Sequence, residues 1–203
     1  MPIIYLIETK NNTVLSHGIR LLSKYPYNHL SISLDASLST VYSFGRRQPH
    51  NPLAAGFTKE NFSHPFFRHS AGRIYALTVT EEEWQTISMQ LKAFDTHPLN
   101  WHYNLLGMVP AYFNYSWERS DHFFCSEFIA TLLQVAGILS PYDRPNLMHP
   151  RDVIEAVHPT CMYDGLLQQY PKLIHQMSEP AQSHRRYLKP IRSVYRQFTH
   201  DHL

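Results

Sequence analysis

Residues 29 to 35, HLSISLD, alternate without a break. Leu30, Ile32 and Leu34 fall on one side of an extended chain, and His29, Ser31, Ser33 and Asp35 on the other. A period of two held over this length specifies a half-buried strand. The turn-forming DASLS follows, and then TVYSFGR (40 to 46) gives a second strand, so the two read as an antiparallel hairpin. A hairpin with one apolar face needs a second layer laid against it.

The rest of the chain supplies that layer. PIIYLI (2 to 7) is a short apolar run stopped by KNN and suits a buried strand, and RIYALTVT (73 to 80) reads as a third strand. HGIRLLSKY (17 to 25) can form a short helix ended by Pro26. EEEWQTISMQLKAF (81 to 94) is an amphipathic helix whose acidic residues sit in the first turn, where the helix dipole favours them. WHYNLLGMVPAYF is aromatic and irregular, and MHPRDVIEAV begins a further short segment. Residues 47 to 72 contain three prolines and no sustained period, so they read as a long loop, of the kind that is more often functional than idle. The pattern is α+β: one domain over residues 1–177, followed by a basic segment over 178–203 that reads as a surface helix or a loose tail.

Composition excludes several classes. Hydrophobic content of 43% and charged content of 17% belong to a folded globular chain. A net charge of +2 is too small to suggest a nucleic-acid-binding protein. Two cysteines cannot form a disulfide framework. The first residues lack the basic start, apolar core and cleavage site of an export signal, and no run has the length of a membrane span. The expectation is a cytoplasmic protein without a membrane span.

DHFFCSEFIATLLQVAGI (121 to 138) places Cys125 at the mouth of an apolar helix. Cys125, Ile129, Leu132 and Ala136 share a face, so Cys125 points toward the body of the protein, and Ser120 or Asp121 could cap the helix. The unpaired N–H groups of a helix start favour an anion, either a thiolate or the oxyanion formed when it attacks a carbonyl. Against this, a free cysteine usually packs as a small hydrophobe. A reacting thiolate needs a base, and His29 is the best of the fourteen histidines because a rigid strand end can aim its ring at a helix end. Its competing role is a polar cap at the sheet edge.

A histidine-led strand (NHLSISLD, then TVYSFGR), a much later FFCSEF helix and a Pro-x-Asp segment (HPRDV) together resemble the circularly permuted NlpC-type papain-like hydrolases, and most closely their YiiX-like branch. The likeness spans about residues 15 to 155. It implies Cys125 as nucleophile, His29 as general base and a polar orienting residue on the next strand, where Ser43 falls. Serine orients weakly, so a backbone carbonyl or a group on the long loop is the alternative. Tyr42, Tyr103 and Asn104 are candidate substrate-binding residues, with core packing as the other role for the last two. The aromatic long loop could supply a hydrophobic groove. The implied reaction is acyl transfer on a peptide or an acyl-containing small substrate, with no cofactor.

Two rivals come from other classes. A cleft of this kind that lacks a competent base would be a binding protein for a peptide or acyl lipid. The repeated spacing His122-x-x-Cys125 and His158-x-x-Cys161 could furnish four ligands for a zinc-stabilised interaction domain, although no knuckle spacing is met. Otherwise Cys161 reads as a buried spectator, and Glu127 as an exposed or lateral helix residue within reach of Arg151 or Arg46.

Overall fold

The structure is a computed structural model, and it describes residues 1–10, 25–48, 51–67, 69–117 and 119–173. The helix expected over 17–25, apart from Tyr25, and the basic segment over 178–203 lie outside the described residues. The protein is α+β, built on one eight-stranded sheet in the order β7-β6-β4-β3-β2-β1-β5-β8. The strands are β1 (Ile3–Thr9), β2 (His29–Ser33), β3 (Val41–Gln48), β4 (Asn51–Glu60), β5 (Ala71–Thr78), β6 (His102–Tyr103), β7 (His122–Phe123) and β8 (Thr160–Leu166). Every pairing is antiparallel except that of β6 with β7. The α-helices among the described residues are α1 (Glu81–Thr96), α2 (Leu105–Tyr112), α3 (Cys125–Val135) and α4 (Pro150–Val157).

The central strand β1 explains its own composition. Ile4 and Leu6 enter one core cluster and Tyr5 and Ile7 a second, so the strand is apolar on both faces and its sequence runs rather than alternates. In the first cluster Leu30, Ile32, Phe44 and Phe57 of the sheet meet Ile87, Leu91 and Phe94 of α1 and Phe128, Ile129 and Leu133 of α3. Phe44 is the hub: its ring lies 5.0 to 6.0 Å from those of Phe57, Phe94, Phe123 and Phe128. α1 starts where the acidic run predicts, with Thr80 accepting from the Glu83 N–H and the Glu83 carboxylate accepting from the Thr80 N–H.

The hairpin of β2 and β3 forms, but β2 is buried on both faces rather than half-buried, its polar face being covered as well. The turn is held by Asp35, whose carboxylate accepts from the Ser37 and Ser39 hydroxyls. Residues 47 to 72 are not a loop. β4 occupies 51 to 60 and pairs along β3, with Val41 opposite Glu60, Ser43 opposite Thr58 and Phe44 opposite Phe57. Three of the four phenylalanines of this stretch fill cores: Phe57 joins the first cluster, and Phe62 and Phe67 join the second, while Phe66 is exposed. Those three are therefore not available to a substrate groove. The irregular WHYNLLGMVPAYF contains a real helix, α2, despite Pro110 in its last turn.

Candidate active site

The pairing of β2 with β3 is confined to Ile32 opposite Tyr42 and Ser33 opposite Val41. Toward His29 no further pair continues the ladder. The Ser43 hydroxyl spans the interval instead, donating to the Leu30 carbonyl at 2.8 Å. α3 packs against both β2 and β3, and its first residue, Cys125, is buried and close enough to the His29 side chain to favour the charged form of the ring. The strand end and the helix start thus bring together two residues separated by most of a hundred positions.

The histidine is held from its other side. His29 Nε2 lies 2.6 Å from Glu60 Oε1, and the second carboxylate oxygen, Oε2, accepts from the Ser31 hydroxyl at 2.6 Å. Engagement of Nε2 by the carboxylate leaves Nδ1 as the nitrogen for the thiol. Burial disfavours the charged form of His29, but the Glu60 carboxylate and the neighbouring Cys125 outweigh it and hold the imidazole well above its usual range. Burial likewise acts against the Glu60 carboxylate, while His29 and Ser31 bring its pKa below the ordinary value. Two donors on a carboxylate, and a carboxylate on an imidazole, define one tautomer and one ring orientation.

The sequence candidates divide cleanly. Cys125, His29 and Ser43 converge. Ser43 Oγ is 3.3 Å from His29 Nε2, but its proton goes to Leu30, so toward the ring it can only accept. Glu60, the orienting residue, was not among the named candidates. It belongs to the stretch read as a loop, where the proline-rich flanks hid a strand; AAGFTKE, once paired on TVYSFGR, puts Glu60 on the face of Ser43.

The three substrate-binding candidates have structural roles. Tyr42 packs on the first core cluster, stacked on Phe57 with Lys59 over its ring. Asn104 is buried and caps α2, accepting from the Gly107 N–H at 2.9 Å while its amide donates to the Trp117 carbonyl at 3.3 Å. Tyr103 packs between two clusters and donates to Met108 Sδ at 3.7 Å.

Other readings change as well. Glu127 is buried, not lateral, and its carboxylate accepts the Phe124 N–H, so it caps the helix in place of Ser120 or Asp121. Cys161 is exposed on β8 rather than buried, its thiol directed at the Tyr163 carbonyl. His122 contacts Asp121 and stacks near His102. Among the described residues no group of three or more His, Cys, Asp and Glu side chains is placed to hold a metal ion. The repeated His-x-x-Cys spacing does not assemble into one site.

Cys125 opens on a cleft of about 290 Å³. One wall is the segment carrying Tyr25, Tyr27 and Asn28, and the other is the first two turns of α4, with His149, Arg151 and Glu155. Met108, Ala111 and Phe124 form an apolar end. Tyr25 is fixed from behind by the buried Glu8, whose carboxylate oxygens each accept its hydroxyl at 2.9 Å, and Tyr75 donates to the same carboxylate. The Arg151 guanidinium lies 5.8 Å from the centre of the Tyr25 ring, so the two walls meet across the cleft.

No protein-family model, curated protein or solved structure matches the chain. Among the described residues no helix is long and apolar enough to cross a membrane.

Proposed function

We propose that the protein is a cysteine hydrolase of circularly permuted papain-like architecture. The observation that carries this reading is the line of contacts from Cys125 to His29 to Glu60, closed by a 2.6 Å approach of imidazole to carboxylate. His29 holds the thiol proton as Cys125 Sγ attacks the substrate carbonyl carbon. The oxyanion then meets the first-turn N–H groups of α3, which have no acceptor inside the helix. His29 returns the proton to the departing amine or alcohol, and water, deprotonated by the same ring, releases the acyl group. The substrate is a peptide or an acyl-bearing small molecule, and an amide is the bond favoured by the resemblance. A thiol nucleophile suits a reducing compartment, in keeping with the cytoplasmic location expected from the sequence.

The binding-protein alternative rested on the lack of a firm orienting residue. Glu60 removes that reason, because a buried carboxylate orients an imidazole far better than a serine hydroxyl.

The test is acyl-enzyme formation with an activated ester such as p-nitrophenyl acetate, read by p-nitrophenol release and by intact mass with peptide mapping. An acetyl adduct confined to Cys125, lost in Cys125→Ala and slowed in His29→Ala, supports the reading. Equal labelling of Cys125 and the exposed Cys161, unaffected by His29→Ala, overturns it.

A further inference from the structure

The stretch from Leu105 to Trp117, LLGMVPAYFNYSW, contains no charged residue, although 17% of the chain is Asp, Glu, Lys or Arg. It also exposes Leu105, Leu106, Phe113, Tyr115 and Trp117, whose relative exposures run from 43% to 75%. Large apolar side chains left in water on one short segment mark an interaction surface.

This exposure belongs to an ordered scaffold. The Asn114 N–H donates to the Ala111 carbonyl at 3.0 Å and the Tyr115 N–H to the Pro110 carbonyl at 3.1 Å. The Asn104 amide donates to the Trp117 carbonyl, and the Asn146 amide to the Ser116 hydroxyl. Helix α2 therefore carries apolar groups in two directions. Met108 and Ala111 line the cleft beside Cys125, and Leu105 and Leu106 face solvent.

We infer that this surface docks the protein on a lipid bilayer, with Leu106, Phe113, Tyr115 and Trp117 seated at the level of the headgroups and the cleft opening beside them. The residue types are those that reside at a membrane interface, where an aromatic ring sits in the apolar layer and its N–H or O–H stays wet. A segment with no charged side chain avoids the largest desolvation penalty on entering that layer. The chain also carries Arg185, Arg186, Lys189, Arg192 and Arg196 with no acidic residue among them, charge that an anionic bilayer attracts. Helix α2 also borders the cleft through Met108 and Ala111, so the docking surface and the wall beside Cys125 belong to one element. Docking itself requires no reaction at Cys125, so its failure and that of the hydrolase reading are distinguishable.

The experiment is sedimentation with vesicles of phosphatidylcholine, with and without phosphatidylserine, using Cys125→Ala so that no turnover intervenes, and analytical ultracentrifugation without lipid. Binding is expected to both vesicles, tighter to the anionic ones, with a Phe113→Ser/Trp117→Ser variant weakened about tenfold or more at unchanged melting temperature. A Phe113→Leu/Trp117→Phe variant retains most of the binding. No sedimentation of the parent protein with either vesicle overturns the inference. So does binding that the serine variant leaves intact, which would assign it to basic charge alone. Self-association lost in the serine variant, without lipid binding, would assign the surface to a second copy of the chain.

Discussion

His29 Nε2 and Glu60 Oε1 lie 2.6 Å apart, joined across the sheet by strands β2, β3 and β4. The pair is enclosed, with 8% and 10% of the two side chains exposed, so solvent screens it little. Each partner moves the other toward its charged form, and Ser31 supplies the remaining donor. The pair fixes the orientation of a buried histidine beside a thiol, which is what the proposed base requires.

Replacement of Glu60 by glutamine keeps the shape and removes the charge. The amide can present either its oxygen or its NH2 group to Nε2, so neither the tautomer nor the imidazolium is favoured as before. Turnover of an activated ester is expected to fall roughly 10²–10⁴-fold, with Cys125 still present and the protein folded. Ser31→Ala, which removes one donor to Oε2, gives a smaller loss in the same assay. Wild-type rates in Glu60→Gln would remove the carboxylate from the catalytic scheme.

The same pair sets a pH window for stability. The folded pKa of His29 is raised above its ordinary 6.5, so its contribution is complete below that value and is lost as pH rises through the raised value. The folded pKa of Glu60 is lowered below its ordinary 4.5, so its contribution is complete above that value and is lost as pH falls through the lowered one. The melting-temperature difference between wild type and Glu60→Gln is therefore expected to be largest between about pH 4.5 and 6.5 and to shrink on both sides. A difference that stays constant from acid to alkaline pH would show that the two groups are not coupled.

Local signals carried much of this architecture. The strict alternation at His29, the apolar run at Ile3 and the acid-led start of α1 each specify their element without help from the rest of the chain. Cys125 and His29 were legible because each stands at the beginning of such an element. Glu60 was not, because β4 is a strand by virtue of its pairing with β3, and its own proline, glycine and alanines carry no period. Tyr42 and Asn104 show the same dependence on distant partners: Tyr42 takes a place in the packed aromatic layer and Asn104 in a helix cap. Which polar group meets ligand and which meets backbone depends on contacts between elements distant in sequence.

The aromatic layer under the site bears on stability directly. Phe44 is fully buried and its ring contacts those of Phe57, Phe94, Phe123 and Phe128. Phe44→Ala would remove the ring at the point where β3 supports both α1 and α3, with a cost of about 3–5 kcal/mol. Phe44→Leu, which refills part of the volume, is expected to recover a good share of it. Chemical denaturation of the three proteins measures both figures, and a loss below about 1 kcal/mol for the alanine variant would contradict the hub role.

Glu8 should behave in the opposite sense to Glu60. It is fully buried, and burial raises its pKa above the ordinary 4.5 even though the Tyr25 and Tyr75 hydroxyls favour the carboxylate. A carboxyl with a raised folded pKa takes up a proton on folding, so its contribution is fully present below pH 4.5 and declines as pH rises through the raised value. Glu8→Gln removes that dependence while its carbonyl oxygen still accepts a tyrosine hydroxyl. Relative to wild type, the variant is therefore expected to gain melting temperature as pH rises from about 4.5 toward neutrality and then to hold a constant offset. Tyr25 would lose one of its two carboxylate oxygens, so the cleft wall loosens and ester turnover shows a raised KM with kcat little changed. A variant whose stability tracks wild type at every pH would mean that Glu8 is neutral or charged alike in the folded and unfolded chain.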